Sequence, residues 1–152
     1  MRGGGETPIT RRSPPPSSMP ATPADSLRLE TEVRSHVRSG EPVRITLRAI
    51  NTGAAPFELS LTGRTPVFDI IVSREDGEVV WRRLEGEAIP MILQLMTLAP
   101  GEALVMHHDW NQQSARREPI APGTYFVHGA FLTDAQPLRT PAASVRILPR
   151  PR

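Results

Sequence analysis

The chain has 152 residues, 38% of them apolar and 22% charged, with a formal net charge of +2. That suits one domain with room for flexible ends, and no apolar run approaches the ~20 residues a membrane-spanning helix needs. Cysteine is absent, which excludes disulfides and thiolate chemistry, and every basic residue is arginine.

The positive charge sits in the tails. Thirteen Arg face fifteen Asp plus Glu between Asp25 and Leu148, whereas the two ends hold five Arg and one Glu. A nucleic-acid domain would carry clustered basic charge within its fold, so a nucleic-acid partner is not expected.

Residues Met1 to Ala24 contain Gly3-Gly4-Gly5, Pro14-Pro15-Pro16 and Ser17-Ser18 but few apolar side chains. Such a segment cannot bury enough surface to offset its ordering entropy, so 1–24 is expected to be a disordered tail. It lacks the apolar h-region of a secretory signal. That favours a cytoplasmic location, the alternative being a start further upstream.

From Asp25 the texture changes. Leu27, Leu29, Thr31 and Val33 alternate with mostly charged residues, as in a strand with one wet face. A polar connection, 34–42, leads to Val43, Ile45, Leu47 and Ala49, which alternate with Arg44, Thr46 and Arg48. Asn51-Thr52-Gly53 turns the chain before a short strand, Phe57 to Leu61.

Phe68 to Trp81 then reads as two apolar arms joined by Asp76-Gly77. This pair tolerates the positive φ of a tight hairpin turn. Phe68, Ile70 and Val72 share one face, and Asp69 and Ile71 the other. Met91 to Leu98 is an almost continuous apolar run between Pro90 and Pro100-Gly101, too short for a typical helix and suited to a buried strand. Leu104 to Trp110, Gly123 to Phe131 and Ser144 to Leu148 supply three more strands. Residues 149–152 end the order with Pro149 and Pro151.

About nine short strands, at spacings of roughly 8–12 residues with turn signals between them, predict an all-β chain. Pro122-Gly123-Thr124-Tyr125 has the spacing of a tyrosine corner, in which a Tyr hydroxyl bonds back to nearby backbone. The expected fold is an immunoglobulin-like antiparallel β-sandwich over 25–148.

The chain resembles the BsuPI family, described as intracellular proteinase inhibitors. The matching pieces are Asn51-Thr52, Phe68-Asp69, Asp76-Gly77, Val80-Trp81, Gln94, Leu98-Ala99-Pro100-Gly101-Glu102, Trp110 and Pro122-Gly123-Thr124-Tyr125, spread over Val43 to Phe131. The resemblance implies an immunoglobulin-like sandwich and a protein partner, an intracellular serine protease of the subtilisin-like class. It carries no reactive-site residue onto this chain.

Candidate chemistry is sparse. His107-His108-Asp109 invites a metal or triad reading. Adjacent strand residues face opposite sides, however, and no GxSxG, Walker-type or GxGxxG run exists. No cofactor, metal or catalytic residue is therefore expected.

Asp69, among apolar neighbours, should accept backbone N–H bonds or pair with an Arg. Trp81 and the methionines Met91, Met96 and Met106 read as core, and Arg82-Arg83 as solvated. Trp110, at the mouth of the long loop 111–122, is the aromatic better placed for a surface.

If connections alternate between the two ends of the sandwich, 34–42, 62–67, 84–90 and 111–122 share one end. Then 52–56, 74–78, 98–102 and 133–143 share the other. The first, longer-looped end is the expected binding face. Within it Arg116 and Arg117 would suit a trypsin-like pocket, and Trp110 or Ile120 the apolar preference of subtilisin-like enzymes. The competing readings are an interaction or accessory domain without a protease target, and a loop that merely joins two strands. A sugar-binding sandwich is disfavoured, since the chain has only four Phe, two Trp and one Tyr for a platform.

Overall fold

The computed structural model describes residues 26–63, 66–89, 92–134 and 136–151. The expected disordered tail, 1–24, lies outside the described residues, as does Met91. Eleven strands form among the described residues: β1 (Leu27–Val33), β2 (His36–Arg38), β3 (Val43–Asn51), β4 (Phe57–Thr62), β5 (Phe68–Arg74), β6 (Val79–Arg82), β7 (Leu93–Leu98), β8 (Ala103–Trp110), β9 (Gly123–Phe131), β10 (Leu138–Arg139) and β11 (Ala143–Leu148).

One sheet has the order β1-β3-β8. The second has the order β2-β11-β9-β5-β6 with β10 also on β9, and β4 and β7 make a separate ribbon. The first two correspond to the two layers of an immunoglobulin-like sandwich. The all-β sandwich is therefore as expected, with one departure from a purely antiparallel plan: β2 runs parallel to β11.

The alternation of β3 becomes its orientation. Val43, Ile45, Leu47 and Ala49 are all fully buried, and Arg44 points outward. β5 is buried along both faces from Phe68 to Val72, with Asp69 and Ile71 covered as well, and β9 and β6 pair its two edges. Trp110, Phe131, Ile45, Leu47, Leu61 and Ile70 are the bulkiest wholly buried side chains.

Two strands appear where connections were expected. β2 lies within 34–42 and takes its order from β11, a pairing invisible to local pattern. β10 and β11 lie on the same side of β9, separated by Thr140-Pro141-Ala142. There Thr140 donates its backbone N–H to the Gly129 carbonyl at 2.8 Å, and its hydroxyl accepts from the Gly129 N–H at 2.8 Å.

The expectation of a buried strand over 91–98 is corrected. Among the described residues β7 pairs only with β4, so Gln94, Met96 and Leu98 face inward while Leu93 and Leu95 stand 57% and 66% exposed.

The alternation of loop ends holds only in part. Connection 34–42 does meet 111–122, since the Gln112 amide donates to the Arg38 and Glu41 carbonyls, each at 2.7 Å. Connection 52–56 meets 98–102 through Asn51, which donates to Ala55 and Leu98 carbonyls at 2.9 Å. But Leu132 N–H donates to the Val67 carbonyl at 2.9 Å, joining 62–67 to the opposite group. The turn at 74–76 lies beside 122–125. The cause is the β4–β7 ribbon. Neither strand crosses the sandwich from end to end, so the count slips by one after β4 and is restored after β7.

The tyrosine corner is present. Tyr125, at the start of β9, donates its hydroxyl to the Ala121 carbonyl at 2.6 Å. Tyr125→Phe is expected to cost about 0.5–1.5 kcal/mol with the fold retained, the net worth of one hydrogen bond. An unchanged urea midpoint would contradict this.

Candidate partner-binding site

The loop from β8 to β9 is braced at its base and free at its tip. Gln112, buried and at φ 61°, holds connection 34–42 with its side chain and also accepts from Gly40 N–H at 3.2 Å. Its carbonyl accepts from Ile120 N–H at 3.1 Å.

The Trp110 indole N–H donates to the Gln113 carbonyl at 3.0 Å. Ser114 N–H donates to Glu118, and Arg117 N–H back to Ser114, both at 2.8 Å. Ala115 N–H donates to the Val80 carbonyl at 2.9 Å, laying the loop along the outer edge of β6. Residues 115–119 are exposed, with Arg117 at φ 63°.

Of the four residues singled out for partner contact, Arg116 and Arg117 stand at this exposed turn. Trp110 and Ile120 do not, and the expectation that either offers an apolar surface is corrected. Trp110 is wholly buried between Trp81, with ring centroids 5.9 Å apart, and Tyr125 at 6.3 Å. Its strand register points it inward opposite Val43. Ile120 belongs to the same core. End-of-strand position suggested exposure; the face of the strand decides it.

The arginines after β6 are also corrected from simply solvated. Arg82 donates to Asp69 Oδ2 from Nη2 at 2.8 Å and from Nε at 3.2 Å. Arg83 lies 3.9 Å over the Phe68 ring and donates to the Phe68 carbonyl at 2.6 Å. Asp69 behaves as expected on both counts, its other oxygen accepting from the N–H groups of Ile70 at 2.9 Å and Leu84 at 3.0 Å.

The histidine pair divides by strand parity. His107 is exposed, while His108 is half-buried and stacks on Trp81 at 5.7 Å. Asp109 pairs with Arg44 at 3.0 Å. Among the described residues no group of three or more His, Cys, Asp or Glu could hold a metal ion.

Burial pushes the His108 imidazole below its usual range, and the Arg83 charge adds to the effect. Burial, then Arg139, does the same to His128. Below the unfolded value of 6.5 the unfolded chain therefore binds more protons, and stability falls as pH drops through that window. The thermal midpoint is expected to be lower at pH ~5.5 than at pH ~7.5, and the difference to shrink in His108→Asn/His128→Asn. An undiminished difference in that variant would assign the effect to carboxylates.

The pieces that carry the family resemblance are mostly joints of the scaffold. Asn51 and Glu102 tie the β3 end to the 98–102 turn, where Glu102 accepts from Ala99 N–H at 2.8 Å. Asp76 accepts from Glu78 N–H at 2.9 Å across the hairpin, and Gly77 takes φ 91°. Gln94 is the exception: its Oε1 is buried without a donor among the described residues, and nothing in the structure explains the choice.

The strand order defines an immunoglobulin-like domain. A family model described as "BsuPI: Intracellular proteinase inhibitor" matches residues 29–136. The chain belongs to that family, a family of inhibitor domains rather than catalysts.

No curated protein matches the chain. Among solved structures it is similar to the alkylpurine DNA glycosylase AlkC of Pseudomonas fluorescens, at 14% identity and TM-score 0.45, covering 81% of this chain and 30% of that one. It is also similar to a β-glucosidase of Listeria innocua, at 10% identity and TM-score 0.44, covering 80% and 16%. A CARDB domain from Pyrococcus furiosus aligns at 13% identity and TM-score 0.42, covering 81% and 94%.

Proposed function

We propose that this domain inhibits a subtilisin-like serine protease by wedging the turn 115–119 against the mouth of its cleft, with a cytoplasmic location accompanying that role. The family match supports the inhibitory role, and the observation that carries the choice of element is the bracing of the loop. A loop already held in one conformation loses little entropy on binding. Its turn closes on itself, and its apolar flanks Trp110 and Ile120 are core residues. The contact is therefore obstructive, with Arg116 and Arg117 meeting the rim of the cleft rather than a side chain filling the specificity pocket.

A second reading rests on the outer edge of β7. No charged residue lies between Met91 and Gly101, and Ile92, Leu93 and Leu95 are exposed. Edge strands are ordinarily guarded by charge, and an unguarded one can take an added strand.

Replacing Ala115–Glu118 by Gly-Ser-Gly-Ser leaves Gln112 and Gln113 in place, so folding is retained. The inhibition constant against subtilisin is expected to weaken by at least about tenfold, which is 1.4 kcal/mol. An unaltered constant would shift the inhibitory element to the β7 edge, where Leu95→Lys is the next variant.

A further inference from the structure

Between the Arg82–Glu85 segment and the loop 111–117 lies a cleft of about 420 Å³, lined by Trp81, Arg82, Arg83, Glu85, Ala115 and Arg117 among others. That volume falls within the range of small-ligand pockets. Three guanidinium groups meet here on a domain whose folded part otherwise carries more acid than base.

Their commitments differ. Arg82 spends Nε and Nη2 on Asp69, leaving Nη1. Arg83 spends one N–H on the Phe68 carbonyl, and stacking on the Phe68 ring fixes its plane. The Arg117 side chain has no hydrogen bond or ion pair among the described residues, although its backbone is held by Ser114.

The negative groups nearby do not cancel them. Asp69 already accepts from two backbone N–H groups as well as Arg82. Glu85 lines the cleft without an ion pair to any of the three, and Glu87 acts on Arg83 only through space. Burial also depresses the Arg83 pKa, a cost to its charge that a bound anion relieves.

We propose that this cleft binds carboxylates of an acidic protein segment, with Arg83 and Arg117 as the recognising pair and Trp81 as the wall against the intervening chain. Planar guanidinium groups with paired free N–H donors match carboxylates bidentately. Two guanidinium groups beside an aromatic wall favour a segment carrying several carboxylates over a single small anion. The proposal needs an acidic partner segment of any kind, so it stands or falls separately from protease inhibition.

The test titrates the full chain with acetyl-tetra-aspartate amide at ~20 mM salt, where surface charge is least screened, and follows Trp emission and binding heat. The expected result is saturable binding that shifts the emission and weakens about tenfold in Arg117→Gln, with the thermal midpoint unchanged because that side chain makes no hydrogen bond or ion pair among the described residues. Tetra-serine amide is the neutral control, and inorganic phosphate the competing anion, expected to displace the peptide only at much higher concentration.

Absence of peptide binding at millimolar concentration overturns the proposal. So does equal binding by Arg117→Gln, or displacement by phosphate at concentrations equal to the peptide's. Arg83→Gln adds a second reading of the same site, and its loss of binding counts only where its midpoint shows a folded chain.

Discussion

Trp110→Ala is expected to destabilise the domain by about 3–5 kcal/mol, the range for deleting a large buried aromatic side chain. A domain of this size is typically stable by only about 5–15 kcal/mol, so most of its margin is at stake. Trp110 is wholly buried, stacked near Trp81 and edge-on to Tyr125. Its removal opens a cavity that three strands would have to close, since it lies on β8 opposite Val43 of β3 and against β6 and β9.

The indole N–H is also one of the ties holding the loop at Gln113. Trp110→Phe keeps most of the apolar volume but drops that tie, so it should cost less and loosen the loop more selectively. Urea denaturation gives both energies, and amide exchange at 113–118 reads the loop. A cost for Trp110→Ala below about 1.5 kcal/mol would mean that the surrounding strands collapse freely onto the site.

What was legible in the sequence follows from how local each signal is. The period of two along β3, the Asp76-Gly77 turn and the Pro-Gly-x-Tyr spacing are each set by a few neighbouring residues, and each appears in the structure as read. β2 could not be found that way. Its three residues, His36–Arg38, owe their order to Arg146–Leu148 far along the chain.

The apolar run at 91–98 misled for a related reason. Composition says that such a strand should be covered, but only a pairing on each side and a sheet over each face would cover it, and β7 has one neighbour. The slip in loop parity has the same source, because a ribbon that stands outside both sheets leaves no trace in strand periodicity.

The candidate site shows the limit more sharply. Arg116 and Arg117 stand at an exposed turn, because a polar loop between two strands must surface somewhere. The cleft beside them was missed. Its walls come from 81–85 and 111–117, far apart in sequence, and the hydrogen bond from Ala115 to Val80 ties them together. The one available signal was the Arg82-Arg83 pair straight after a strand. A solvated reading leaves out Asp69, which lies two residues along from Ile71, the register partner of Arg82, and on the same face.

The fragments that identify the family act mainly at joints: Asn51, Asp69, Asp76, Gly101-Glu102 and Tyr125 each close a turn or tie two segments. They therefore report the scaffold.

Asp69→Ala tests the most connected of those joints. Asp69 is 3% exposed, and its carboxylate accepts four hydrogen bonds, two from backbone N–H groups and two from Arg82. Truncation leaves the Ile70 and Leu84 amides without their acceptor. Arg82, about half exposed, can turn to water, so the penalty comes chiefly from the backbone. A cost of about 2–4 kcal/mol is expected, somewhat below that for breaking a fully buried ion pair.

Asp69→Asn separates the two contributions. It keeps one oxygen for the amides and turns an NH2 group toward Arg82, so it should cost about half as much. If Asn proved as damaging as Ala, the charge pairing with Arg82 would outweigh the bonds to the two amides. If Ala cost under about 1 kcal/mol, water would be replacing the carboxylate at both amides. Both variants should also loosen the turn after β6, because Leu84 is held there by Asp69 Oδ1. Amide exchange at 83–87 reads that consequence directly, independent of the global stability.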